Sequence, residues 1–148
     1  MTKEEMLDIL EKEGNYEEFT YKGFKCQMKR NHSKCWCGYV NIPKWHSLFS
    51  NANGMAESLD CHGGVTWCQE NEEGYLLTGF DCAHSGDLSP IYLIDDNYSG
   101  YLSFRSNGNY RDKDYVISEI HDMVNQIYDN YPETQIYFRN QKITELGV

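Results

Sequence analysis

The chain has 148 residues, enough for one domain with a real core, and its 40% hydrophobic and 14% aromatic content is that of a globular protein rather than a disordered one. No apolar run reaches the roughly 18 residues of a membrane span, and "MTKEEMLDILEKEG" lacks the apolar centre of a signal peptide, so a cytoplasmic protein is expected. Thirteen Lys and Arg against 23 Asp and Glu give a net charge of −10, which argues against nonspecific binding to nucleic acid or an anionic membrane.

In chain order, residues 2–13 read as a short helix. Thr2 with Glu5 three positions on forms a capping box, Met6, Ile9 and Leu10 are spaced helically, and Gly14 stops it. This helix is expected to be a peripheral extension, residues 1–14. "YEEFTY" and "FKCQM" then flank Lys22-Gly23, a hairpin signal. "CWCGYVNI" is a third strand, ended by Pro43. Residues 44–60 read as a loop or short helix. "GGVTWC" and "YLLTGF" read as two more strands across an acidic turn, with imperfect alternation that suits covered faces. Residues 88–109 form a polar insert with "IYLI" and "GYLSF" embedded, long enough to cover a site.

The clearest helix follows. Val116, Ile120, Met123, Val124 and Ile127 make one stripe, with Asp112 or Asp114 as cap and Pro132 as the stop. "TQIYFRNQKI" fits a last strand or irregular chain. The fold class is α+β: a mostly antiparallel sheet of about five strands in a single domain, with the long C-terminal helix packed on one face.

Two polar stretches invite chemistry. In "GFDCAHSGD", Asp81 lies at a strand end, and His84 and Asp87 follow within six residues. Asp-x-x-His-x-x-Asp can converge on a divalent metal, or can do acid–base work with a carboxylate fixing the imidazole tautomer. The alternative is an Asx turn bonding backbone amides. In "CHGGVTW", His62 precedes Gly63 and Gly64, whose backbone can form an anion-binding nest. If the two strands between these stretches pair antiparallel, His62 is carried beside Asp81 and His84. His46 follows the third strand and is either a ligand-site residue or a packed loop histidine. Arg111, just before the long helix, is a candidate anion reader, with a surface ion pair as its alternative. His32 and His121 carry little signal, and His121 is placed on the exposed side of the helix.

The six Cys (26, 35, 37, 61, 68 and 82) are expected to be free thiols, mostly buried, in preference to disulfides or a zinc site. Cys82 should face the core if Asp81 faces a cleft, which disfavours a Cys–His nucleophile. "YKGFKCQMKRNHSK" holds five cations and no acid. It is either a solvated strand face or a place for a small anionic ligand.

Taken together, "CGYVNIPKWHSLF" (37–49), "HGGVTW" (62–67), "GFDCAHSGD" (79–87) and "YRDKDYVISEIHDMVNQI" (110–127) resemble a family of small uncharacterised phage and prophage proteins. The resemblance places His46, His62, Asp81, His84, Asp87, Arg111, Asp112, Tyr115 and Glu119 at motif positions. The N-terminal helix and residues 91–109 fall outside its pattern. It implies a counter-defence protein in a host cytoplasm. The leading reading is a small phosphodiesterase-like hydrolase that acts on a nucleotide immune signal such as a cyclic nucleotide. His62, Asp81, His84 and Asp87 would be its catalytic or metal-holding residues, and His46, Gly63, Gly64, Arg111 and Tyr115 its ligand contacts. The alternatives are a non-catalytic sponge for such a signal and a protein inhibitor of a host enzyme. A divalent metal and a homo-oligomer are left open.

Overall fold

A computed structural model describes residues 1–98 and 107–147. Its centre is a five-stranded, wholly antiparallel sheet of β1 (Tyr16–Tyr21), β2 (Phe24–Arg30), β3 (Trp36–Ile42), β4 (Trp67–Glu70) and β5 (Leu76–Asp81), in the spatial order β1-β2-β3-β5-β4. Five α-helices accompany it among the described residues: α1 (Lys3–Glu13), the short α2 (Met55–Ser58) and α3 (Ile91–Ile94), then α4 (Lys113–Asn130) and α5 (Pro132–Glu145). The expected α+β architecture is present. No helix of the described residues is long and apolar enough to cross a membrane.

Local chemistry explains most of these elements. The Thr2 hydroxyl accepts from the Glu5 amide at 3.1 Å and the Glu5 carboxylate takes the Thr2 amide at 3.3 Å, a complete capping box. Lys22 and Gly23 have φ of 49° and 88°, the doubly left-handed pair of a two-residue hairpin. All seven residues of β3 are buried, as befits the central strand. Alternate residues of β2, β3 and β5 turn toward α4, whose Val116, Ile120, Met123, Val124 and Ile127 are all fully buried against Phe24, Met28, Trp36, Val40 and Phe80. Each such side chain contributes about 1.5–3 kcal/mol on leaving water, so this contact is the main stabilising layer.

The structure corrects four expectations. The strand "GGVTWC" shrinks to an exposed edge strand, β4, so its irregular pattern does not reflect two covered faces. "TQIYFRNQKI" is neither strand nor irregular but helix α5. Helix α4 ends at Asn130, as Pro132 signals, and Pro132 then occupies the first turn of α5, where the missing N–H costs nothing. The N-terminal helix is not peripheral, because Glu13 at its end reaches the interior (below). His121 is half-buried rather than exposed, stacked on Tyr21 with ring centroids 3.8 Å apart. Within the insert, "IYLI" is helix α3, whereas "GYLSF" lies outside the described residues.

Candidate functional site

The β4–β5 pairing does what the sequence argument required. Trp67 opposes Gly79, and the Thr66 amide bonds the Gly79 carbonyl at 2.9 Å. The chain before β4 therefore lies beside the end of β5. His62 and His84 approach with ring centroids 5.8 Å apart. A tight turn, Gly64 N–H to Cys61 C=O at 2.9 Å, sets the His62 backbone. Gly63 has φ of 69°, and a Cβ there would sit 2.2 Å from the His84 Nε2. Only glycine admits both the left-handed backbone and the imidazole packed on it.

A second pairing completes the site. Residues 86–88 run parallel to 108–110 through an isolated bridge, with Leu88 N–H to Asn109 C=O at 2.9 Å and Asn109 N–H to Gly86 C=O at 2.8 Å. This bridge delivers Arg111 and the start of α4 to Asp87. Asp112 caps α4 by accepting from the Tyr115 amide at 2.8 Å, which sets the first turn and with it the Tyr115 side chain.

Asp87 is the hub. Its Oδ2 accepts from the His62 Nε2 at 2.7 Å and from the His84 amide at 3.0 Å, and its Oδ1 accepts from the Arg111 Nε at 3.0 Å. Its side chain is 2% exposed. Burial alone would raise its pKa; the donors from His62, the His84 amide and Arg111 outweigh burial and hold the carboxyl below the usual value. An ionised carboxylate only accepts, so Nε2 of His62 carries a proton. In the neutral ring, Nδ1 is then the acceptor for the Tyr115 hydroxyl, 2.8 Å away. The result is a continuous chain from carboxylate to imidazole to phenol. Burial, with Glu119 nearby, raises the Tyr115 pKa and keeps the phenol protonated. The Arg111 guanidinium lies 4.8 Å from the Tyr115 ring centroid, is 29% exposed, and uses only Nε on Asp87.

Asp81 and His84 form a second, more open pair. His84 Nε2 lies 3.3 Å from the Asp81 Oδ1, an ion-pair approach whose angles do not make a hydrogen bond, and that nitrogen is buried without a hydrogen-bond partner. The Asp81 Oδ1 instead accepts from the Ala83 amide at 3.0 Å, the Asx turn weighed as the alternative, and its Oδ2 accepts from the Thr66 hydroxyl at 3.1 Å. Asp81 thus holds the turn that presents His84.

The remaining candidates separate. Gly63 packs against the His84 ring, whereas a Cβ at Gly64 would meet nothing within 4 Å; the Gly64 N–H is spent on the turn, so the two amides do not form a free nest. His46 is not brought to the site. It follows Ile42, which pairs with Leu76, whereas the site lies at the Cys37–Asp81 end of the same two strands. It is buried, with Nε2 on the Thr134 hydroxyl at 2.9 Å and Nδ1 accepting from the Leu48 amide at 3.1 Å. The basic run does not converge either. Lys22 bonds Asn125, Lys25 pairs with Glu73, Lys29 sits over Tyr39, and Arg30 turns inward to Glu13. Among the described residues no group of three or more His, Cys, Asp or Glu is arranged to hold a metal ion. At this site both nitrogens of His62 are already engaged in hydrogen bonds. None of the six Cys forms a disulfide; Cys26, Cys35, Cys37 and Cys82 are buried and Cys61 and Cys68 half-buried. Burial pushes Cys82 upward, Cys26 and Cys61 up to about 12 and Cys37 up to about 11, so none of these four is a ready thiolate.

Sequence reasoning did not foresee Thr66 as the partner of Asp81, or Asn109 as the residue that ties the insert to Asp87. The proximity of the capped helix start to "YRD" was the available signal. Compared with models of protein families, with curated proteins and with solved structures, the chain finds no match.

Proposed function

We propose that the chain is a small hydrolase that works by acid–base chemistry at His62, on a phosphodiester of the nucleotide class. In the phage setting implied by the sequence resemblance, the substrate is a nucleotide signal of host immunity and the activity is counter-defence. The observation that carries this reading is the Asp87–His62–Tyr115 hydrogen-bond chain beside Arg111. Neutral His62 takes the Tyr115 proton through Nδ1 while the phenol oxygen takes a proton from the attacking water or hydroxyl. Asp87 stabilises the imidazolium that forms. The Nη groups of Arg111, which have no hydrogen-bond partner among the described residues, neutralise the phosphate oxygens, and the proton returns along the same path to the leaving oxygen. Positioned proton transfer of this kind contributes about 10²–10⁴-fold.

A sponge that holds the same ligand without turnover is the second reading. It is favoured by the closed state of the chain, in which both ring nitrogens of His62 already have partners. Incubation with a panel of cyclic mono- and dinucleotides, followed by denaturation and chromatography, separates the two. New products formed by the native protein, and not by His62→Gln, support the hydrolase. Full recovery of bound, intact ligand replaces it with the sponge.

A further inference from the structure

At the far end of α4 from Tyr115, an open groove of about 560 Å³ runs between the β1–β2 turn, the C-terminal part of α4 and helix α5. Tyr115 and Tyr128 are separated by roughly 20 Å along the helix axis, so this groove is not part of the His62 site. Its floor carries the Tyr128 and Phe138 rings, 19° from parallel with centroids 6.1 Å apart. Lys22, Arg139 and Lys142 line its sides, against one acid, Asp129. None of the ion pairs among the described residues engages these three cations. In a chain of net charge −10, acids are plentiful, and three cations left without one around a single groove form a local exception.

Lys22 strengthens the case. It stands at the first left-handed position of the hairpin turn, with φ of 49°, where Asn, Asp or Gly is the favoured residue. The turn therefore does not ask for lysine. Its ammonium is fixed by the Asn125 Oδ1 at 2.7 Å and lies 5.5 Å and 5.4 Å from the Tyr21 and Tyr128 ring centroids. The Tyr128 hydroxyl donates to the Lys22 carbonyl at 2.6 Å and locks the turn to the helix. The strained lysine is thus held at the groove's edge without a carboxylate partner among the described residues.

We infer that this groove is a binding site for a nucleoside polyphosphate, with the cations taking the phosphates and the Tyr128–Phe138 floor taking the planar base. The volume is that of a small-ligand site. A guanidinium is the group best matched to phosphate oxygens, and aromatic faces accept any base. The inference does not depend on hydrolysis at His62.

ATP, adenosine and inorganic triphosphate, titrated calorimetrically into the intact protein, test it. ATP should bind. Arg139→Gln with Lys142→Gln should weaken it by about tenfold or more, the scale of lost charge-assisted hydrogen bonds. Both side chains are exposed, so the melting temperature should hold, and Arg139→Lys with Lys142→Arg should retain binding. Inorganic triphosphate should bind more weakly than ATP, and adenosine more weakly still. Amide shifts on ATP addition should fall on residues 135–142 and persist in His62→Gln. No ATP binding at millimolar concentration would overturn the proposal, as would equal affinity in the double glutamine variant or loss of binding in His62→Gln. A dimer that the double glutamine variant abolishes, with no ATP binding, would replace the nucleotide by the acidic surface of a second copy.

Discussion

Glu13 and Asp87 are two carboxylates served by the same short strip of chain, with opposite outcomes. Tyr110 and the Lys113 amide reach Glu13, while Arg111 and Tyr115 reach the Asp87 network. Glu13 also accepts from the Trp36 indole at 3.2 Å and from Arg30, whose side chain is 2% exposed and whose other donors take the Gly14 and Lys34 carbonyls. Burial would raise the Glu13 pKa, but these donors hold it below its usual value, as they do at Asp87. The difference lies in the partners. Around Glu13 every donor group is charged or neutral throughout the neutral range, and the network closes on itself. Around Asp87 one donor is an imidazole, the next link is a phenol, and the guanidinium spends only Nε on the carboxylate. The first network is closed, and the second is the one to which the proposed proton exchange is assigned.

The comparison breaks most visibly at Asp87. Asp87→Asn keeps the shape but removes the charge that fixes the His62 tautomer, so turnover should fall by about 10²–10⁴-fold, read as kcat on the hydrolysed nucleotide. The mirror variant, Glu13→Ala, strands the Arg30 guanidinium in the interior. It should cost about 3–5 kcal/mol of stability, read from urea unfolding, while activity per folded molecule stays at the wild-type level. Equal losses of activity in the two variants would erase the distinction.

Acid should expose the shared part of the comparison. Both carboxyls have folded pKa values below their usual 4.5 and 3.8, so the unfolded chain binds more protons at low pH. Their stabilisation is present above those values and is lost as pH falls through the lower, folded ones. His46 adds a milder decline that begins higher. Burial lowers its pKa from the usual 6.5, so unfolding takes up a proton as pH drops below that value. Unfolding midpoints should therefore begin to fall below pH 6.5 and fall further below pH 4.5, with a flatter acid limb in Glu13→Ala. The smallest effect belongs to Asp81. Its bond to the Ala83 amide resembles a side-chain cap, and Asp81→Ala should cost about 0.5–2 kcal/mol. Its effect on turnover should be well below that of Asp87→Asn, and the reverse order would move the centre of the site to Asp81.

Much of this arrangement was legible in the residues. The α4 stripe, the capping box and the Lys22-Gly23 turn are local patterns, and the structure follows them. Antiparallel pairing of two short-linked strands was enough to bring His62 to His84. What stayed hidden is nonlocal or ambiguous. Nothing in "EKEG" says that Glu13 will meet Arg30 and Tyr110, which lie 17 and 97 residues away. The Asp87–Asn109 bridge joins the two ends of a polar insert that has no periodic pattern. Helix α5 buries little beyond Thr134, so its apolar residues do not announce a helical face. His46 has the residue type of a site and the surroundings of a core, and only the strand register separates the two.

Tyr115→Phe tests the proton path most directly. It removes one oxygen and keeps the ring that packs beside Arg111 and His62. With the proposed proton transfer from phenol to imidazole, kcat on the hydrolysed nucleotide should fall by about 10²-fold or more, with KM and melting temperature near the wild-type values. Full kcat in Tyr115→Phe would contradict the account, because the phenol would then be only a clamp on the His62 ring.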